Sequence, residues 1–269
     1  MIGVGIIGYG LMGKRYFENI NKINNFKIVR ILRRKKNKDI VFTNNNKLFF
    51  EDPKIDLYIV ASNLNTHFYF TKNIILKNKN IIVEKPFVSN NLQADKIIEI
   101  QKIKKIKKFV VHYNDLYNLN ALNLKKKLKT IGCIKKIELL YGKKQHGKID
   151  VLIKDWLSHP LSVLINYFGL PFNFKIIKKK SNEISILFNY KNFRAIIKYS
   201  NKFKKKQKCI KFIGSKSTYV YDGYDNNLNS IKNLLKQYLI RRKINDLDLG
   251  ASVTNMMTKI LKALSKNIK

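Results

Sequence analysis

The sequence predicts an α/β fold in two parts: a doubly wound parallel sheet over residues 1–115, then an α+β domain with a mostly antiparallel sheet over 116–269. Three observations carry this prediction. Short apolar runs alternate with amphipathic stretches as far as Val111, the pattern of strands joined by right-handed helical crossovers. The texture changes near residue 115, where a lysine-rich helical stretch begins. Beyond Gly169, strand-like runs follow one another across polar and glycine turns, as in an antiparallel sheet.

The first element is the apolar run from Ile2 to Ile7, a buried strand leading straight into a glycine turn. A helix follows, because Leu11, Tyr16, Phe17, Ile20 and Ile23 recur near a period of 3.6. Lys27 to Leu32 reads as a strand, followed by a variable stretch of Lys and Asn, and Leu57 to Ala61 as a further buried strand. His67 to Lys77 is expected to be helical, Ile81 to Val83 a short strand, and Leu92 to Ile103 an amphipathic helix capped by Ser89. Phe109 to Val111 closes the series. In the second part, Lys136 to Gln145 leads to a helix-like segment ending at Phe168. Strands are expected over Asn173 to Ile177, Glu183 to Asn189, Phe193 to Tyr199, Lys208 to Ile213 and Thr218 to Tyr221. The tail returns to helix, with Ala251, Val253, Met256, Ile260 and Leu264 on one side, and packing back on the first domain is one option for it.

Composition narrows the function classes. The 269 residues hold 55 Lys plus Arg against 17 Asp plus Glu, a formal net charge of +38, yet 45% are hydrophobic and 12% aromatic, enough to build a core. Such an excess raises the prospect of nucleic acid or anionic membrane partners. The basic runs around Lys35, Lys104, Lys125, Lys178 and Lys204 are spread along the chain at element ends, however, and no nucleic-acid motif accompanies them. They are expected to be solvated faces that stick to polyanions only non-specifically at low salt, with no specific nucleic-acid partner. No apolar run approaches the roughly 18–20 residues of a membrane helix, and the apolar start lacks the basic segment of a secretory signal. Two cysteines, Cys133 and Cys209, suggest neither a disulfide framework nor a zinc site. A reducing compartment, the cytoplasm, is expected, with no metal.

Gly8-Tyr9-Gly10-Leu11-Met12-Gly13 is a G-x-G-x-x-G run placed after a strand and at the mouth of a helix. In that context it is the fingerprint of a Rossmann-type dinucleotide site. Gly8 permits the tight turn, Gly10 lets backbone amides approach a pyrophosphate, and Gly13 lets helix and strand pack closely, while the helix N-terminus favours the negative charge. An acidic residue about 20 positions on would accept hydrogen bonds from the ribose of NAD. That position is Arg33 here, followed by Arg34, Lys35 and Lys36, cationic groups suited to a 2′-phosphate. NADP is therefore expected as cofactor, with NAD the alternative.

Glu84-Lys85-Pro86 follows the strand Ile81 to Val83, at the carboxyl end of the sheet, where open α/β folds bind ligands. Ala61-Ser62-Asn63-Leu64-Asn65-Thr66-His67 follows an earlier strand, and Asp155-Trp156-Leu157-Ser158-His159 lies downstream. With the glycine fingerprint, Gly132, Phe212 to Ser217 and a closing helix, this order and spacing resembles the glucose-fructose oxidoreductase and inositol dehydrogenase family (Gfo/Idh/MocA). The resemblance spans nearly the whole chain. It implies hydride transfer between a nicotinamide dinucleotide and a carbon bearing a hydroxyl or ketone, on a sugar, cyclitol or sugar derivative. By the same resemblance Lys85, Asp155 and His159 form the catalytic set: His159 exchanges the hydroxyl proton, Lys85 hydrogen-bonds the reacting oxygen, and Asp155 orients ring or substrate. Ser62, Asn63, Asn65 and His67 would line the cofactor pocket, and Glu84 would fix Lys85 or touch the nicotinamide ribose.

Helical spacing puts Asp155, His159, Ser162 and Asn166 on one face, and Leu157, Leu161, Leu164 and Phe168 on another. Pro160 interrupts this and moves the expected helix start to about residue 160. Ser162 stands where many members of the resembled family carry an acidic residue, and the chain is short for that family. A non-catalytic dinucleotide-binding protein on the same fold is the competing reading. Members often associate through the open face of the C-terminal sheet, so a homo-oligomer is expected, with Phe188, Tyr190, Phe193 and Tyr199 as its contact residues. His112 and His146 have no matching partner and are expected to be structural or exposed.

Overall fold

The computed structural model describes residues 1–34, 41–104, 106–144, 149–223 and 230–266. Lys35, Lys36, Gln145 and His146 lie outside the described residues. In chain order, β1 (Ile2–Ile7) turns into α1 (Leu11–Ile20), followed by β2 (Phe26–Leu32), β3 (Phe42–Thr43), α2 (Asn46–Phe50), β4 (Leu57–Val60), α3 (Leu64–Leu76), β5 (Asn80–Glu84), α4 (Asn91–Ile103) and β6 (Lys108–His112). Then come α5 (Asn114–Tyr117), α6 (Leu119–Thr130), β7 (Ile134–Gly142), α7 (Ile149–Trp156) and α8 (Ser158–Phe168). Next are β8 (Asn173–Lys180), β9 (Glu183–Asn189), β10 (Arg194–Ser200), β11 (Gln207–Gly214) and β12 (Thr218–Asp222). The chain closes with α9 (Ser230–Ile240), β13 (Ile244–Asn245) and α10 (Leu247–Lys266).

Two compact units result. Met1–Tyr113 with Ile231–Asn255 forms one, and Asn114–Ser230 with Met256–Lys269 forms the other. Where the sequence suggests a break after residue 115, this grouping breaks between Tyr113 and Asn114 and adds Ile231–Asn255 to the first unit.

In the first unit the described strands form one sheet in the order β13-β6-β5-β4-β1-β2-β3, with every neighbouring pair parallel. Its central strands are apolar without alternation. Leu57 to Val60 and Ile81 to Val83 are fully buried, as a sheet covered on both faces requires. Strand order reverses beside β1, which pairs with β2 on one side and β4 on the other. The loops leaving β1 and β4 therefore flank a crevice at the carboxyl edge, the place where such sheets bind ligands. The two-residue strands β3 and β13 and the short helix α2 are too brief to show a period in the sequence. The cap of α4 is Asn90, whose side chain accepts from Gln93 N at 3.0 Å; Ser89, the expected cap, instead donates its backbone N–H to Gln93 Oε1 at 3.1 Å.

The second unit holds a sheet in the order β12-β11-β7-β10-β9-β8. All its pairs are antiparallel except β7 with β10. Here the strands alternate: Ile137, Leu139 and Tyr141 of β7, and Ala195, Ile197 and Tyr199 of β10, are buried. Lys136, Glu138 and Lys198 fall between them on the other face. This register corrects part of the expected open-face contact set. Phe188 and Tyr199 are fully buried on the covered side, whereas Tyr190 and Phe193 stack at 4.5 Å and are half-buried.

Candidate active site

The glycine loop is shaped by close approaches. Gly8 has φ +90°, and a β-carbon there would lie 2.7 Å from Ala61 O, so only glycine makes this turn without strain. A β-carbon on Gly13 would lie 2.1 Å from Gly8 O, which is why α1 can sit against the turn. Gly10 is different. Nothing lies within 4 Å of its β-carbon position, and it supplies no side-chain cap to α1. Open space therefore faces the positive end of a helix, which suits a pyrophosphate.

Beside this loop is a cavity of about 350 Å³. Its lining comes from the glycine loop (Gly8, Tyr9, Gly10), from just after β2 (Arg33, Arg34), from Asn44 and Asn46, and from the segment after β4 (Ser62, Asn63, Thr66, Phe70). Of the residues expected to hold a dinucleotide, Gly8, Gly10, Arg33, Arg34, Ser62 and Asn63 line this cavity. Leu11, Met12 and Gly13 form the adjoining first turn of α1, with Leu11 exposed. Asn65 is exposed in the first turn of α3 and is not part of the lining. Arg33 lies over the Phe42 ring at 5.3 Å, which orients its guanidinium. Asn44 and Asn46 escaped the sequence reading because they sit in an Asn-rich run without a motif.

His67 is buried beneath the cavity rather than lining it. Its Nε2 lies 3.0 Å from Ser62 O and its Nδ1 3.0 Å from Pro86 O, so the ring ties the loop after β4 to the loop after β5. Glu84 also faces inward. It is 5% exposed, accepts from Tyr16 Oη at 2.9 Å, and lies 2.7 Å from His112 Nδ1, which in turn is 2.7 Å from Tyr16 Oη. Burial alone would raise the Glu84 carboxyl, but the His112 charge, hydrogen bonds from His112 and Tyr16, and the Lys85 charge together hold it below its ordinary value of 4.5. Its carboxylate thus anchors α1, β5 and β6 under the loop that carries half-buried Lys85.

In the second unit α7 ends at Trp156 and α8 begins at Ser158, two residues before the expected start. Pro160 is tolerated because it falls in the first turn, where its missing N–H has no helical partner to lose. Two helices, not one, carry the Asp155 to His159 segment, so the expected shared polar face is not formed. Asp155 is exposed in the last turn of α7, and His159 is buried in the first turn of α8. Ser162 is buried and donates to His159 O at 2.7 Å, while Asn166 is exposed.

His159 meets a polar cluster that the sequence reading did not find. Lys208 Nζ lies 2.6 Å from Asp115 Oδ1 and 3.5 Å from His159 Nδ1, and Asp115 Oδ2 lies 3.6 Å from the same Nδ1. Tyr141 donates to Asp115 Oδ2 at 3.0 Å and Tyr221 to Asp115 O at 2.8 Å, while Asn118 donates to the Tyr221 hydroxyl. Burial, and then the Asp115 charge, hold the Tyr141 hydroxyl well above its ordinary value, so it remains a neutral donor. One signal could have found Lys208: it alternates in register with Ile210 and Phe212, on the buried side of β11. Among the described residues no group of three His, Cys, Asp or Glu could hold a metal ion, and no helix is long and apolar enough to cross a membrane.

Residues 2–113 match the family model described as oxidoreductase family, NAD-binding Rossmann fold. Residues 2–113 thus carry the NAD-binding Rossmann fold of the Gfo/Idh/MocA oxidoreductase model. Similarity to an oxidoreductase extends further along the chain. The oxidoreductase YhhX of Escherichia coli (strain K12) is 23% identical over 262 residues, covering 86% of this chain and 74% of that protein. Among solved structures, a protein assigned as a myo-inositol dehydrogenase from Sinorhizobium meliloti 1021 has TM-score 0.84 at 12% identity, covering 99% of this chain and 98% of that one. The WlbA (WbpB) dehydrogenase of Thermus thermophilus, solved with NAD and α-ketoglutarate, has TM-score 0.78 at 15% identity, covering 98% and 96%. At these identities the two structures show a shared fold, which extends over nearly all of this chain. The open space at Gly10 and the uncapped start of α1 fit the dinucleotide that this family binds.

Proposed function

We propose that the chain transfers a hydride between a nicotinamide dinucleotide, NADP in preference to NAD, and a hydroxyl- or ketone-bearing carbon of a sugar, cyclitol or sugar derivative. The observation that carries this reading is the cavity at the glycine loop, open above Gly10 and walled by Arg33 and Arg34. The cyclitol and sugar class is supported by the dehydrogenases that share the architecture. Bound in that cavity, the cofactor supplies a hydride acceptor in one direction and a donor in the other.

The chain's own residues do the rest. Amides of Gly10 and the first turn of α1 hold the pyrophosphate, and the Arg33 fork takes a 2′-phosphate, which a point charge would hold with less directionality. Lys85 donates to the reacting oxygen and offsets the charge that develops there. His159 takes the hydroxyl proton during oxidation and returns it during reduction, since imidazole titrates near working pH. Asp155, exposed at the end of α7, contributes to orienting the substrate. Self-association would use the open face of the second sheet, and the two thiols Cys133 and Cys209, unpaired with one another, support a cytoplasmic setting.

Fluorescence titration with NADPH and NADH tests the cofactor assignment. NADPH binds at least tenfold more tightly, Arg33→Ala removes most of that preference, and equal affinities would refute it. Turnover is then measured across a panel of sugars and cyclitols with Lys85→Ala and His159→Ala. Both variants keep cofactor affinity and lose activity at least a hundredfold. Tight binding without turnover by the parent protein on every substrate would leave a dinucleotide-binding protein in place of an enzyme.

A further inference from the structure

A cation and an anion stand at nearly equal distance from one nitrogen of His159. Lys208 Nζ is 3.5 Å from Nδ1 and Asp115 Oδ2 is 3.6 Å from it, while the two charges are paired to each other at 2.6 Å. All three side chains are buried: Asp115 is 1% exposed, His159 5% and Lys208 8%. We propose that the Asp115–Lys208 pair is a positioning device for His159, holding the ring by Nδ1 and setting its protonation, so that Nε2 is the nitrogen that exchanges the substrate proton. The proposal rests on the reading of His159 as proton carrier.

The argument begins with what each charge does alone. A carboxylate beside an imidazole favours the charged ring, and an ammonium disfavours it. At matched distances the two effects largely cancel. For Nε2 to exchange the proton, Nδ1 has to keep its own hydrogen in both the neutral and the charged ring, and the Asp115 carboxylate is the acceptor toward which that N–H points. Lys208 offsets the carboxylate, so the ring is not locked in its charged form.

Other groups surround the pair. Tyr141 of β7 is engaged with Asp115 and stays neutral. Tyr199 of β10 is likewise buried, and burial and the Asp115 charge hold its hydroxyl well above its ordinary value. From α7, the Trp156 ring lies 6.3 Å from the His159 ring and 5.1 Å from Lys206 Nζ, and Asp155 is exposed. A role in packing alone would not explain the pair, because well-packed apolar side chains generally serve a core at least as well as a buried ion pair.

The test is a histidine NMR titration of the full chain, with the His159 resonance assigned by its loss in His159→Gln. Asp115→Asn leaves the ammonium facing Nδ1 and lowers the His159 midpoint by about one pH unit, whereas Lys208→Met leaves the carboxylate and raises it by about as much. The double variant Asp115→Asn/Lys208→Met returns it toward the wild-type value. The limb of the kcat/KM profile that follows His159 moves in the same two directions. Shifts of the same sign in both single variants, or no shift in either, would overturn the proposal.

Should a single substitution unfold the chain, Lys208→Arg and the double variant carry the test. Both keep the charge at Nδ1 balanced and leave the titration close to wild type, and a displacement of about one unit in either overturns the proposal. If His159→Gln keeps full turnover, the proton-carrier reading fails while the titration result stands by itself, so the two failures are distinguishable.

Discussion

A methyl group added at Gly13 has no room, because Gly8 O already occupies the place it would take, 2.1 Å away. Gly13→Ala is therefore expected to cost about 1–3 kcal/mol in stability and to weaken dinucleotide binding about tenfold or more. Thermal unfolding and NADPH titration measure the two effects. Glu84 makes a different prediction, one that depends on pH. Its carboxyl titrates lower in the folded chain than its ordinary value of 4.5, so the stability it contributes is fully present above about pH 4.5 and is lost as pH falls through the lower folded value. Glu84→Gln removes charge-assisted hydrogen bonds worth about 2 kcal/mol at neutral pH, and its Tm falls less steeply than the parent's on acidification below pH 4.5. Parallel Tm curves would contradict this. The contrast explains what was legible at this scale. Gly8, Gly10 and Gly13 announce themselves by spacing, because a backbone path demands glycine at those positions. Asp115 and Lys208 do not. Nothing local distinguishes a buried lysine among 55 basic residues until the register of β11 turns it inward.

Between Trp156 and Ser158 the chain changes helix, and Pro160 enters the first turn of α8. At that position proline forfeits no helical hydrogen bond, so Pro160→Ala is expected to change stability by less than about 1 kcal/mol. Leu164→Pro, one turn deeper and fully buried, costs about 3 kcal/mol or more. Chemical denaturation of both variants checks the pair. Elements with a continuous apolar run or a long period were readable: β1 and β9 follow from their apolar runs, and α1 and α10 from their apolar spacing. The two-residue strands β3 and β13 were not, because their existence depends on a neighbouring strand and not on any local pattern. The break between α7 and α8 was half-readable. Proline marked the place, but the position of His159 and Asp155 on separate helices follows from tertiary packing.

The whole molecule carries +38 formal charges, and the open face of its second sheet shares in them, with Lys136, Arg194, Lys198 and Lys211 around Glu138. Copies meeting through that face would bring like charges together. Self-association is therefore expected to strengthen as salt rises from about 50 to 500 mM, over which the Debye length falls from more than 10 Å to less than 8 Å. Sedimentation velocity at the two salt concentrations measures it, and weaker association at high salt would point to a different interface. Retention on a polyanion matrix runs the other way, falling with salt. The sequence left open whether the closing helix packs back on the first part, but it held no sign that α9 and β13 group there too, since that joins stretches more than a hundred positions apart. That grouping has a consequence for biosynthesis. Ile244 and Asn245 cover the border of β6 by pairing with Lys108 and Phe109, so a ribosome must deliver more than a hundred further residues after β6 before that border is sealed. Any premature stop upstream releases a product with an adhesive flank, and such fragments are expected to clump when expressed by themselves.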